Sequence, residues 1–188
     1  MGSRLFIERI GELEELRKGA TSEDLCFVEQ FSSENRRREV LAWRAIVRRE
    51  VGEKCRIFHD EWGAPMVDAE NVYISISHSK EWVALLISDR ACAVDIEGVM
   101  RDFRKVSSRY LSEQERRMAE DNDAYAEMWC IKEALYKYHK KGELDFVRDL
   151  SILDYDADGG VATASICGGA EIKVTIKRDD NLAVAIIE

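Results

Sequence analysis

A single proline, Pro65, in 188 residues without any Gly/Ser-rich or low-complexity stretch leaves this chain no flexible linker, so any two halves it forms must pack rather than swing. With 46% apolar residues, it is long enough to bury a sizeable core, as one domain or as two tightly joined halves. Five cysteines (Cys26, Cys55, Cys92, Cys130, Cys167) are odd in number, widely spaced and free of any C-x-x-C pair. Reduced thiols fit that pattern; a disulfide framework or a zinc knuckle does not. No stretch approaches the ~20 apolar residues of a membrane span, and the first residues lack an apolar signal core. The expectation is a cytoplasmic protein with no membrane partner. A formal charge of -9 argues against nucleic acid as a partner, since nucleic-acid binders carry a basic excess. An anionic ligand must therefore meet a local basic cluster.

Hydrophobic periodicity predicts an α+β fold. A strand is expected near Leu25 to Phe31, then a helix from about Asn35 to Glu50 with Val40, Leu41, Ile46 and Val47 at helical spacing. Short β-rich runs follow at Arg56 to His59, Val72 to Ser77, Trp82 to Ser88 and Cys92 to Glu97. A helical stretch opens near Ser112, and a long helix runs from about Ala124 to Lys141, with Asp123 as N-cap and Gly142 just past its end. Four strands finish the chain: Leu150 to Tyr155, Val161 to Ile166, Ala170 to Lys177 and Leu182 to Ile187, the last two joined by a hairpin turn at Arg178 to Asn181. Two similar halves, 1–90 and 91–188, each with a long helix packed on a mostly antiparallel sheet, are the expected architecture.

Two groups of residues carry chemistry. In Val94-Asp95-Ile96-Glu97, period-2 alternation sends both carboxylates to one strand face, roughly 6 to 7 Å apart, while Val94 and Ile96 point into the core. A hard cation such as Mg2+ relieves their mutual repulsion. Taken alone, such a triplet is equally an exposed strand face. On the long helix, Trp129, Lys132, Glu133, Tyr136 and Lys137 recur at i, i+3, i+4, i+7 and i+8, beside a core stripe of Met128, Ile131 and Leu135. Glu133 would complete a three-carboxylate site with Asp95 and Glu97, and Lys132 and Lys137 would hold phosphate oxygens. Glu133 and Lys137 also make an ordinary solvated i,i+4 pair.

The combination is more specific than either part. Val94-Asp95-Ile96-Glu97, followed by Trp129-Cys130-Ile131-Lys132-Glu133-Ala134-Leu135-Tyr136-Lys137, resembles the paired signature of the 4'-phosphopantetheinyl transferase superfamily. Ile74-Ser75-Ile76-Ser77-His78-Ser79 resembles its S-I-S-H-S segment. Trp62-Gly63-Ala64-Pro65 resembles its G-K-P loop, with Ala64 in place of the lysine. Asn35-Arg36-Arg37-Arg38 with Trp43-Arg44 resembles its N-terminal basic helix. These upstream matches are those of the long, Sfp-like type, in which one pseudo-dimeric chain holds a whole site, so a monomer suffices.

The resemblance implies transfer of phosphopantetheine from coenzyme A to a serine of an apo acyl or peptidyl carrier protein, with Mg2+ as cofactor and 3',5'-ADP released. By the same resemblance Asp95, Glu97 and Glu133 are the metal ligands, and Asp95, Glu133 and Lys137 the catalytic set. Arg37, Arg44, Ser77, His78, Lys132 and Lys137 would bind coenzyme A, with Arg36 and Arg48 as lesser candidates for the 3'-phosphate. The serine's proton would pass to Glu133 or to a metal-bound water. The acceptor would dock near Arg101, Arg104, Lys105, Arg116 and Arg117. Ser112-Glu113-Gln114-Glu115 matches the family's S-x-x-E block, but the same spacing is a capping box, and Glu115 is left out of the catalytic set. Two rival readings are a noncatalytic coenzyme A or nucleotide-binding module of the same fold and an unrelated acidic interaction protein.

Overall fold

The computed structural model of the chain describes residues 2–179 and 181–188. The fold is α+β, with every paired strand antiparallel. Strand β1 (Arg4–Arg9) precedes two short helices, α1 (Leu13–Lys18) and α2 (Ser22–Val28), and the long helix α3 (Glu34–Glu50). Strands β2 (Ile57–His59) and β3 (Pro65–Val67) form a small ribbon, followed by β4 (Tyr73–Ser79), β5 (Trp82–Ser88) and β6 (Ala93–Gly98). After a 3-10 turn at Arg104–Arg109 come α4 (Glu113–Arg116), the long helix α5 (Asn122–His139), and β7 (Leu150–Asp156), β8 (Val161–Ile166), β9 (Ile172–Asp179) and β10 (Leu182–Ile187).

Two sheets result, one ordered β1-β5-β4 and the other β6-β10-β9-β8-β7. Their cores follow from strand alternation. In β5, Val83, Leu85 and Ile87 face α3 and its Val40, Leu41, Ile46 and Val47. The intervening Ala84 and Leu86 face the second sheet, against Val94 and Ile96 of β6 and Val184 and Ile186 of β10. The other face of β10, Ala183, Ala185 and Ile187, packs with Met128, Ile131 and Leu135 of α5. The layers thus run helix, sheet, sheet, helix. All six residues of β10 are buried, which is why Leu-Ala-Val-Ala-Ile-Ile reads as a continuous apolar run without alternation.

Three expectations are corrected. Leu25 to Phe31 is not a strand: helix α2 ends at Val28 and begins with a capping box in which the Thr21 hydroxyl accepts from Asp24 N and the Asp24 side chain accepts from Thr21 N. Strand β1, which has no counterpart among the expected elements, pairs with β5 in register Arg4 to Ile87 through Arg9 to Trp82. The N-cap of α5 is Asp121, whose side chain accepts from Ala124 N at 2.8 Å, and the helix ends on Lys140 in the left-handed region. The expected turn between the last strands includes Asp180, which lies outside the described residues; on either side the register sets Leu182 opposite Asp179.

Asp24 ties α2 to α3. Its carboxylate accepts from Arg44 Nε, from Arg48 Nε at 3.1 Å and from Arg48 Nη2 at 2.9 Å. Asp24 and Arg44 are each only 1% exposed. The buried Arg44 Nη1 has no hydrogen-bond partner, but the guanidinium carbon lies 4.8 Å from the Phe27 ring centre and 5.5 Å from that of Trp43. Burial alone would raise the Asp24 pKa; hydrogen bonds from Arg48, Thr21 and Arg44 outweigh it and bring the group down to about 2. A carboxyl depressed in the folded state stabilises above its unfolded value and loses that contribution as pH falls through the folded one. We therefore expect wild-type protein to lose roughly 2 kcal/mol between pH 4 and pH 2 through this group. Asp24→Asn should lack that loss and cost about 3 to 5 kcal/mol at pH 7, measured by urea unfolding.

Candidate active site

Strands β4 and β6 lie side by side without a shared backbone ladder, joined by side chains. Period-2 alternation puts Ser75, Ser77 and Ser79 on one face of β4, opposite Leu86, Ala84 and Trp82 of β5. That face meets the free edge of β6. Ser75 Oγ accepts from Val94 N at 3.0 Å, and Ser79 Oγ accepts from Gly98 N at 3.3 Å. Ser77 donates to Asp95 Oδ1 at 2.6 Å, and Ser79 donates to Glu97 Oε2 at 2.7 Å.

Helix α5 approaches the same carboxylates from the other side. Lys137 Nζ donates to Asp95 Oδ1 at 2.7 Å and to Val94 O at 3.1 Å. Glu133, one turn earlier, feels both negative charges: burial raises its pKa to about 7, Asp95 and Glu97 push the same way, and Lys137 opposes them. Glu97 is raised too, by burial first and by Asp95, with the Ser79 hydroxyl acting against the shift. Asp95, Glu97, Glu133 and Lys137 are thus brought together. Among the described residues no three His, Cys, Asp or Glu side chains already stand in a metal-holding geometry. The donor chemistry nonetheless suits a hard cation: three mutually repelling carboxylates converge, and the buried Asp95 Oδ2 has no hydrogen-bond partner among the described residues.

Two adjoining clefts open beside this cluster. The larger, about 280 Å³, runs between the loop before β3, strand β4 and the end of α5, and its lining includes Trp62, Ala64, Ser75, Lys137 and Lys140. The smaller, about 150 Å³, shares Gly63, Pro65 and Ile76 with it and adds Arg36, His59 and His78. Arg36 Nη1 lies 2.7 Å from His78 Nε2 and 3.1 Å from Glu39 Oε2. Burial lowers the His78 pKa, Glu39 opposes this and Arg36 adds to it. A neutral ring whose Nε2 accepts from Arg36 fits these neighbours better than an ion pair with Glu39. A third cleft of about 260 Å³ borders Glu133 and is lined by Arg101, Arg109, Tyr110, Trp129 and Phe146 among others.

The other expected ligand residues lie apart from the cluster. Arg44 is paired with Asp24 and with Glu23, at 3.1 Å, inside the helical layer. Arg48 belongs to the same network. Arg37 Nε donates to Phe31 O at 2.7 Å; of the basic helix, it is Arg36 that lines the smaller of the two adjoining clefts. Lys132 lies apart as well. Fully buried, its Nζ donates to Glu115 Oε1 at 2.6 Å, to Phe146 O at 3.0 Å and to Leu150 O. Three acceptors need three N–H groups, which only the ammonium form supplies. Glu115 is the N3 member of the capping box with Ser112 and accepts from Ile152 N at 2.7 Å as well. Ser79 and Lys140 were not singled out from the sequence. For Ser79 the signal was present as the third member of the period-2 serine row.

A family model described as the 4'-phosphopantetheinyl transferase superfamily matches residues 91–187, more than half of the chain. Over 89 residues the chain is 33% identical to the 4'-phosphopantetheinyl transferase gsp of Aneurinibacillus migulanus, covering 44% of this chain and 37% of that protein. Over 94 residues it is 30% identical to the 4'-phosphopantetheinyl transferase ffp of Bacillus subtilis, covering 46% of this chain and 42% of that protein. In both cases the match spans less than half of the relative's own length.

Two outcomes follow from this geometry. Lys132→Met strands the buried Glu115 carboxylate and should cost about 3 to 5 kcal/mol in urea unfolding, of which Lys132→Met/Glu115→Gln recovers roughly 1 to 2 kcal/mol by removing the charge while keeping the cap. The Glu133 carboxyl, followed by 13C NMR, should titrate near pH 7 in the metal-free protein. Because its folded pKa lies above the unfolded value of 4.5, its stabilising contribution is full below pH 4.5 and is lost as pH rises through about 7. Lys137→Met should move the midpoint upward, since the one opposing positive charge is gone.

Proposed function

Because the chain belongs to the 4'-phosphopantetheinyl transferase superfamily, we propose that it transfers the phosphopantetheine arm of coenzyme A to a serine hydroxyl of an apo carrier protein, releasing 3',5'-ADP. The observation that carries this reading is the convergence of Asp95, Glu97 and Glu133 with Lys137, where Lys137 lines the larger cleft and Glu133 the third. Residues 1–90 and 91–188 form the two halves of a pseudo-dimer, the first contributing nucleotide contacts and the second the acidic cluster. One chain carries every group required, and a monomer in the cytoplasm is the simplest working form.

Asp95, Glu97 and Glu133 would hold Mg2+, which when bound neutralises the coenzyme A diphosphate and the charge on the departing oxygen. Coenzyme A lies across the two clefts. Arg36, His59 and His78 line the smaller one and suit an anionic phosphate. Lys140 and Lys137 line the larger, so Lys140 supplies there the cation that Ala64 does not. Exposed Trp62 offers its ring to the flat base. Lys137 is poised to shift from Asp95 to a phosphate oxygen as charge grows there.

The serine Oγ attacks the β-phosphorus as the phosphorus–oxygen bond to 3',5'-ADP breaks. Glu133, or a water beside it, would accept the serine proton. The acceptor helix docks over the third cleft. The stretch Arg101, Arg104, Lys105 and Arg109 is basic, and only Lys105 among them has an ion-pair partner described, Asp102 at 3.1 Å. An acidic carrier is the complement of such a stretch. No helix among the described residues is long and apolar enough to cross a membrane.

The test is intact mass spectrometry of an apo acyl carrier protein incubated with this protein, coenzyme A and Mg2+. The carrier should gain the mass of phosphopantetheine, EDTA should abolish the gain, and Asp95→Ala should slow it by ~100-fold or more. Binding of coenzyme A with no transfer to any of several apo carriers would assign a binding module in place of an enzyme.

A further inference from the structure

We propose that Ser79, together with Ser77, is a positioning residue for the acidic cluster: its buried hydroxyl fixes one oxygen of the Glu97 carboxylate and so restricts where the other can meet a divalent cation. The inference rests on the metal reading given above and adds to it a residue on a different strand.

A bare strand edge needs hydrogen-bond partners for its backbone. Strand β6 is the outer strand of its sheet, and an outer strand presents N–H groups that must find partners when buried. Hydroxyls supply them: Ser75 Oγ takes Val94 N–H and Ser79 Oγ takes Gly98 N–H. A hydroxyl accepting in that way still has its own hydrogen to give. Ser79 gives it to Glu97 Oε2 at 2.7 Å, while Ser77 gives its hydrogen to Asp95 Oδ1 at 2.6 Å. Both serines are less than 10% exposed, so water does not compete freely for these bonds.

The consequence is directional. One oxygen of Asp95 is occupied by Ser77 and Lys137, and the other, Oδ2, is left without a partner. One oxygen of Glu97 is likewise fixed by Ser79. The Trp129 side chain is a second and weaker hydrogen-bond partner of Glu97, and a glutamate has one more rotatable bond than an aspartate, so Glu97 depends on Ser79 as its main anchor. Second-layer hydrogen bonds of this kind typically change metal affinity by 10- to 100-fold when removed. Among the described residues the Ser79 hydroxyl donates to Glu97. A strand edge alone would be served by any acceptor.

The test uses the full chain without coenzyme A and follows Mn2+ binding by the loss of the free-ion electron paramagnetic resonance signal. Wild-type protein should bind Mn2+ and Asp95→Ala should not, which establishes the site. Ser79→Ala should weaken Mn2+ binding ~10-fold or more, and Ser79→Thr, which keeps the hydroxyl on a β-branched residue suited to a strand, should restore most of it. In turnover, the Mg2+ concentration for half-maximal rate should rise for Ser79→Ala while KM for coenzyme A stays within about twofold. Thermal melting of each variant separates positioning from folding. If Ser79→Ala melts lower yet binds Mn2+ like the wild type, the hydroxyl is structural only and the proposal falls, with the metal reading intact. If wild-type protein binds no Mn2+, the metal reading falls first and this proposal with it.

Discussion

The free edge of β6 is closed by hydroxyls in place of a neighbouring strand, and the arrangement of the whole molecule hangs on that closure. A backbone ladder between β4 and β6 would have merged the two sheets into one continuous sheet. The serine row instead lets the first sheet turn its inner face onto the second, so that Ala84 and Leu86 can bury Val94, Ile96, Val184 and Ile186. With the sheets stacked, each long helix is left to cover one outer face, α3 on one side and α5 on the other. The same contact brings carboxylates of β6, hydroxyls of β4 and the polar edge of α5 to one place. Fold and candidate site therefore share a single seam, and a chain without a linker could not assemble one without the other.

The charged groups inside the molecule divide by how completely they are satisfied. Asp24 receives both Arg44 and Arg48, and Lys132 has three acceptors for three hydrogens. Such closed networks hold elements together: α2 to α3 in the first case, α5 to α4 and β7 in the second. The cluster at β6 is different in kind. Like charges converge there, Glu97 and Glu133 are both raised, and Asp95 keeps a buried oxygen without a donor. Convergence of like charges is what separates this cluster from the structural ones, in which opposite charges pair even where Arg44 Nη1 is left to the Phe27 and Trp43 rings. Lys132 and Lys137, five residues apart on one helix, show the contrast: the first is sealed under β7, and the second reaches the cleft.

Most regular elements could be read from the chain because their causes are local. The apolar spacing of α3 and α5, the β-rich runs of β4 and β5, and the carboxylate alternation of β6 are written within each segment. Leu25 to Phe31 misled because Leu-Cys-Phe-Val is β-rich over four residues, while its helix is set by the Thr21 and Asp24 cap upstream. The site was legible in part for the same reason. Asp95, Glu97, Glu133 and Lys137 are ordered by period within their own elements. Arg44 and Lys132 were not, since their partners lie 20 and 17 residues away, and spacing along one element says nothing about what packs over it. Their motif positions match the family, but whether a matching cation faces ligand or core depends on a second element.

The serine row joins these two kinds of information. Its periodicity is local, since Ser75, Ser77 and Ser79 share a face wherever the strand is placed. Its meaning is not, because three serines on a strand face would ordinarily mark the solvated side of an antiparallel sheet. Here all three are buried, and burying three hydroxyls is unfavourable unless each finds a partner. Val94 N–H, Asp95, Glu97 and Gly98 N–H are those partners. A polar row in a buried position thus predicts a polar counterpart across from it. Two edge strands carry carboxylates at alternate positions, β6 with Asp95 and Glu97 and β7 with Asp154 and Asp156. Those of β7 are exposed and satisfied by water, whereas Asp95 is buried, so the partnership between Ser-x-Ser-x-Ser and Asp-x-Glu follows from hydrogen-bond satisfaction once β4 and β6 are both recognised as buried.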